Sequence, residues 1–76
     1  MGTKYKAEVS YKYIRQVVVL ETVRFSGGVW RIGWRKPSGS IAGWRGNNTI
    51  FPTEASAQAA LDAEAKKRGF EPIEEV

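Results

Sequence analysis

The stretch Val-Trp-Arg-Ile-Gly-Trp-Arg at positions 29–35 limits the possible folds of this chain more than any other. Side chains of a β-strand alternate between the two faces of its sheet. One face of a strand here would carry Trp30, Ile32 and Trp34. The other face would carry Val29, Arg31, Gly33 and Arg35. We predict a central strand with one face in the core and one available to an anionic ligand, where the glycine leaves the backbone open to close approach.

Two more strands are predicted before this one. Residues 5–13 alternate apolar and polar side chains, which is typical of a half-buried strand. Residues 14–16 lack a pattern and suggest a bend or bulge. Residues 17–25 are rich in β-branched side chains, and four consecutive apolar residues begin them, which indicates burial on both faces. We therefore expect a self-association surface at Val17, Val18, Val19 and Leu20, unless the first strand folds over it.

Glycine-containing turns flank the central strand. Residues 26–28 predict a hairpin turn, and residues 36–39 have the Pro and Gly positions of a type I turn. A short strand at 41–45 would then run antiparallel to the central strand. If Ala42 and Trp44 face the core, Arg45 faces outward beside Arg31 and Arg35.

A single helix is predicted over residues 54–68. Thr53 is the expected N-cap and Gly69 the expected left-handed C-cap. Acidic residues follow at 71–76, and we expect a frayed tail there. The predicted buried helix face is small, and it consists of Ala57, Ala60, Leu61 and Ala65.

Together these elements predict one α+β domain over residues 1–76. An antiparallel sheet of four to five strands within residues 4–51 would pack one face against the C-terminal helix at 54–68. The chain has no cysteine and no histidine. Disulfides and thiolate metal sites are thereby excluded, and the commonest general base is missing. We expect no enzyme activity, no cofactor and no metal. The absence of a long apolar run predicts a soluble, cytoplasmic protein without membrane contact.

Charge is distributed unevenly along the chain. Residues 1–48 contain nine basic and two acidic residues, a net +7, whereas residues 49–76 contain three basic and six acidic residues, a net −3. Clustered cations favour nucleic acid because they release counterions from phosphates. An uneven solvated surface is the simpler explanation. The candidate nucleic-acid-binding residues are Arg31, Arg35, Lys36 and Arg45, with Lys12.

The three tryptophans allow two interpretations. Trp30, Trp34 and Trp44 would form a stacking platform for single-stranded bases if they were exposed. The alanine-rich helix face, however, needs an apolar partner, so Trp30 and Trp34 are expected in the core. The position of Trp44 stays open.

The segment Trp-Arg-Ile-Gly-Trp-Arg-Lys-Pro-Ser-Gly-Ser, followed by a second strand and Phe-Pro-Thr-Glu-Ala-Ser-Ala-Gln-Ala-Ala-Leu, resembles the arm-type DNA-binding domain of phage tyrosine integrases. It is similar in plan to the DNA-binding domain of plant ethylene-response factors. The resemblance covers roughly residues 28–69 and implies that a three-stranded sheet enters the major groove. It further implies that Arg31, Arg35 and Arg45 face DNA. The same stretch also resembles the YegP-like small domains, which have no assigned activity.

The leading expectation is a small, non-catalytic nucleic-acid-binding accessory or regulatory protein that contacts duplex DNA with the basic face of its sheet. The alternative is a protein-interaction module, either a homodimer or a phage-encoded inhibitor of a host protein. That module would act through residues 17–20 or through a sheet edge.

Overall fold

The computed structural model describes residues 2–11 and 13–73 as a five-stranded antiparallel sheet with one helix. The strand order is β4-β3-β2-β1-β5. The fold is α+β, as the sequence predicts. The elements are β1 Lys4–Tyr11, β2 Ile14–Phe25, β3 Val29–Arg35, β4 Ile41–Gly43, α1 Glu54–Arg68 and β5 Glu71–Ile73.

Strand β2 divides its pairing between two partners. Its first part, residues 14–20, pairs with β1, whereas residues 21–25 pair with β3. The last two residues of β3, Trp34 and Arg35, pair with β4 instead. The β1–β2 hairpin therefore separates from the β3–β4 hairpin at this end of the sheet.

The turn between β1 and β2 lies earlier than the sequence suggests. Tyr11 pairs with Ile14, and Tyr13, the described residue between them, has a left-handed φ of 69°. The predicted bend at residues 14–16 is wrong, because these residues belong to β2. A tight turn commonly uses glycine or asparagine for positive φ, and this one contains neither.

Helix α1 has the predicted bounds and the predicted caps. The Thr53 hydroxyl oxygen accepts a hydrogen bond from the Ser56 backbone N–H at 3.1 Å. Gly69 has a φ of 76°, and its N–H donates to the Ala65 carbonyl. The buried positions are Ala57, Leu61 and Ala65, while Ala60 is half-buried. The small side chains allow the helix to lie close to the sheet.

Strand register places the apolar residues of β3 on the helix side. Ile32 pairs with Thr22 and is fully buried, as are Leu20 and Leu61. Trp44, whose position the sequence leaves open, belongs to the core, and its exposed fraction is 6%. The sequence also predicts that Trp30 and Trp34 of β3 lie in the core. Both are only half-buried, and Trp34 packs against the core.

The apolar run at the start of β2 is not buried on both faces. Leu20 is fully buried and Val18 is half-buried, both toward the helix side. Val17 and Val19 alternate with them and are 59% and 40% exposed. The helix covers one face only, so the predicted four-residue interaction surface is reduced to two valines.

The acidic segment after the helix is ordered where the structure describes it. Ile73 pairs with Lys4 and Glu71 with Lys6, so residues 71–73 form the edge strand β5. The prediction of a frayed tail is wrong for these residues, and residues 74–76 lie outside the described part. The reversal at Gly69, after which the Phe70 N–H donates to the Ala65 carbonyl, directs the chain back to β1.

Side chains of β1 and α1 join the two layers at the N-terminal end of β1. The Tyr5 hydroxyl donates a hydrogen bond of 2.6 Å to the Asp62 carboxylate, which also accepts one from Gln58. This hydrogen bond, together with desolvation and the carboxylate charge, raises the pKa of the Tyr5 phenol above its ordinary value of 10.0.

Candidate functional site

We call the face of the sheet opposite α1 the outer face; it is exposed at Val17 and Val19 but buried at Val23. Strand alternation places cations from three adjacent strands on it. Its members on β1 are Lys4, Lys6, Glu8 and Ser10, on β2 Arg15, Val17, Val19, Glu21, Val23 and Phe25, on β3 Val29, Arg31, Gly33 and Arg35, and on β5 Glu71, the cross-strand partner of Lys6.

Arg31 is held in place on the outer face. Its guanidinium carbon lies 5.2 Å from the centre of the Phe25 ring, and its Nη2 donates to Asn48 Oδ1 at 3.3 Å. The Arg31 Nε is buried without a hydrogen-bond partner among the described residues. Val23, its cross-strand partner, is only 1% exposed. Arg31 is therefore both a cation and a packing residue.

The two glycines of this region do not leave open backbone, contrary to the expectation for Gly33. A Cβ on Gly33 would stand 2.3 Å from the Ala42 carbonyl oxygen, so this position is filled by the neighbouring strand. A Cβ on Gly43 would meet the Arg31 guanidinium at 2.5–2.8 Å. At both positions, the space that a side chain would need is already occupied by other atoms of this chain.

Arg35 is the more accessible arginine of β3. Its Nε lies 3.5 Å from the Glu21 carboxylate, and its side chain is 60% exposed. Arg15 makes a similar contact with Glu8, also at 3.5 Å. The Arg15–Glu8 pair is exposed on both sides and contributes little stability, whereas the Glu21 side chain is only 15% exposed, so the Arg35 contact is more sheltered.

A second surface lies where the two hairpins separate. It is a cleft of about 550 Å³ near the C-terminal end of α1. Aromatic side chains and cations line it together. The aromatic residues are Trp34, Trp44 and Phe70, and the cations are Lys36, Arg45 and Arg68. Glu8, Val9 and Ser10 line the cleft on the β1 side.

The C-terminal end of α1 organises one side of the cleft. The Arg68 guanidinium carbon lies 4.9 Å from the centre of the Trp44 ring, and the Arg68 Nε donates to Glu64 at 2.7 Å. Phe70 meets Trp44 edge to face, with ring centres 5.7 Å apart. Arg68 is thus oriented by a stacking contact and an ion pair.

The structure divides the predicted basic cluster between the two surfaces. Arg31 and Arg35 lie on the outer face, whereas Lys36 and Arg45 line the cleft. Lys12 lies outside the described residues. Sequence reasoning missed Arg68, which it treated only as a complement to the helix end. The signal was present in the run Arg-Gly-Phe at 68–70, where the C-cap turn brings an arginine and an aromatic ring together.

The described part of the chain lacks two further features that would indicate a function. No three His, Cys, Asp or Glu side chains group there in a way that would hold a metal ion. None of its helices has the length and apolar character needed to cross a membrane.

Comparison with known proteins identified no relative. The chain matches no protein-family model, no curated protein and no solved structure.

Proposed function

We propose that this chain is a small, non-catalytic nucleic-acid-binding protein that contacts duplex DNA with the outer face of its sheet. The observation that carries the proposal is the outer face, which the helix does not cover and on which cations from three adjacent strands lie. Lys6 on β1, Arg15 on β2 and Arg35 on β3 are all exposed there. Lys6 lies opposite Val19 of β2, whereas Arg15 lies opposite Ser10 of β1, about 13 Å further along the strands. The cations are thus spread over the face, where they can contact successive phosphates.

The arginines of β3 have different roles in this proposal. Arg35 exchanges its contact with Glu21 for a phosphate, which is a stronger acceptor for a guanidinium. Arg31 is already oriented by Phe25 and Asn48, and pre-orientation reduces the entropy lost on binding. Sheets that place strands in the major groove are an established binding geometry.

The test is a fluorescence-anisotropy titration of labelled duplex DNA at about 50 and 200 mM salt. Arg35→Gln should weaken binding several-fold and reduce the slope of log affinity against log salt by about 0.9. Arg24→Gln is the matched control, because Arg24 is an exposed arginine of the neighbouring strand on the helix side. It removes the same charge and should leave the affinity within about twofold.

Three results would contradict the proposal. They are absence of wild-type binding at low salt, binding that does not respond to salt, and equal weakening by the two substitutions. The first two would remove duplex DNA as a ligand, and the third would remove the outer face as its site.

A second candidate function is association with another protein through the same face. It is favoured by Val17 and Val19, which are exposed on β2 beside the cations. Apolar side chains on an open sheet face are typical of interaction surfaces when they are contiguous.

A further inference from the structure

We infer that the cleft is a nucleotide site, which takes a planar base together with its phosphate. Two ligands present a base together with a phosphate: a free mononucleotide and an unpaired nucleotide within a single strand. Arg35 is not among the residues that line this site, because it faces the opposite side of β3 from Trp34, and the site is separate from the duplex contact proposed above.

The aromatic side of the cleft suits a base. Trp34 is half-buried: it packs against the core and also lines the cleft. Trp44 is almost fully buried beneath Arg68, so Trp34 supplies the ring face and Phe70 a neighbouring edge. Aromatic side chains stack on bases of any sequence, because every base has a π-face.

The charge of the cleft suits a phosphate. Lys36 directly follows β3, Arg45 lies in the loop after β4 and Arg68 ends α1, and all three line the cleft. Glu8 is the acidic residue among the described lining residues, and Arg15 already lies 3.5 Å from its carboxylate. The Arg68 contact with Glu64 uses Nε, which is not one of the two terminal nitrogens that would face an anion. A positive cleft with aromatic walls is complementary to an aromatic anion.

The edge of β1 adds hydrogen-bonding groups. Strand β5 pairs only with residues 4–6 of β1, so no described strand follows Glu8, Val9 and Ser10 on that side. These three residues line the cleft, and those of their backbone groups that point away from β2 are available to the polar edge of a base. The volume of about 550 Å³ lies within the range of small-molecule sites.

The experiment is a ¹H–¹⁵N NMR titration of the whole chain with adenosine 5′-monophosphate, adenosine and inorganic phosphate. The monophosphate should shift the indole N–H of Trp34 and the backbone N–H groups of Lys36 and Arg45. Adenosine should move the same indole with about tenfold weaker affinity, since it lacks the charge-assisted contacts. Inorganic phosphate should leave the indole signal in place.

Lys36→Gln with Arg45→Gln tests the site by substitution. Both residues are exposed, so the fold should be retained, and affinity for the monophosphate should fall about tenfold. The matched control is Arg24→Gln with Lys66→Gln, which removes two exposed charges outside the cleft. Any of three results would overturn the inference. They are no shift of the Trp34 indole signal with the monophosphate, equal loss of affinity in the two double variants, and identical shifts with inorganic phosphate alone.

A single-stranded tetranucleotide then distinguishes the sources. Binding more than about tenfold tighter than the monophosphate identifies a strand, because several phosphates and bases contribute. Equal affinity identifies the free nucleotide. Because Arg35 is outside the cleft, Arg35→Gln should leave the monophosphate affinity unchanged, so the two proposals fail independently.

Discussion

Gly33 and Gly43 pair directly across β3 and β4, yet a methyl group would meet different neighbours at the two positions. At Gly33 it would approach the backbone oxygen of Ala42 at 2.3 Å and a Val23 methyl at 3.1 Å. At Gly43 its three nearest neighbours would be guanidinium atoms of Arg31, at 2.5–2.8 Å. The first contact requires the strand to move, and the second only a side chain.

We therefore expect Gly33→Ala and Gly43→Ala to differ in stability. Gly33→Ala should lower the free energy of unfolding by about 1–3 kcal/mol, as overpacking of a buried position does. Gly43→Ala should lower it by less, because only the Arg31 guanidinium has to move. Urea denaturation of both variants measures the difference. Equal losses would mean that the contacts around Gly33 do not constrain the sheet.

At the scale of elements, β5 and α1 were predictable to different degrees. The helix has local signals at both ends, Thr53 and Gly69, and its bounds follow from them. Strand β5 is three residues long and contains a proline and an acidic residue, both of which disfavour strands. It forms because the turn after Gly69 returns the chain to the open edge of β1.

Removal of β5 should destabilise the protein. Deletion of residues 71–76 takes away its pairing with residues 4–6 of β1, and we expect a loss of about 1–2 kcal/mol. For a chain of this size that is a decrease in melting temperature of about 4–8 °C or more. The matched control deletes residues 74–76 only and should retain the wild-type melting temperature. Identical melting curves for the two deletions would show that β5 does not contribute.

At the scale of the whole molecule, the oligomeric state distinguishes the two candidate functions of the outer face. If the face binds DNA, it must be free in solution, so the protein should sediment as a single chain at micromolar concentration. Val17 and Val19 are the exposed apolar residues that would hold a dimer together. A dimer that Val17→Thr with Val19→Thr dissociates would favour protein association instead. A dimer that persists in this variant would assign association to another surface.

The sequence by itself determined the features that depend on a few neighbouring residues. The bounds and caps of α1 follow from Thr53 and Gly69, and the faces of β3 follow from its alternation. These signals act within one turn or one strand, through backbone hydrogen bonds and steric limits on φ and ψ. The α+β class follows from them as well.

Tertiary structure alone decided which side chains from distant parts of the chain lie next to each other. The divided pairing of β2 separates the hairpins and opens the cleft, where Lys36, Arg45 and Arg68 converge from distant positions in the chain. The same packing buries Trp44 and covers Gly43 with Arg31. Strand register and the path of the chain after the helix set these contacts, and neither is encoded in a local pattern, because each depends on where another segment has already packed.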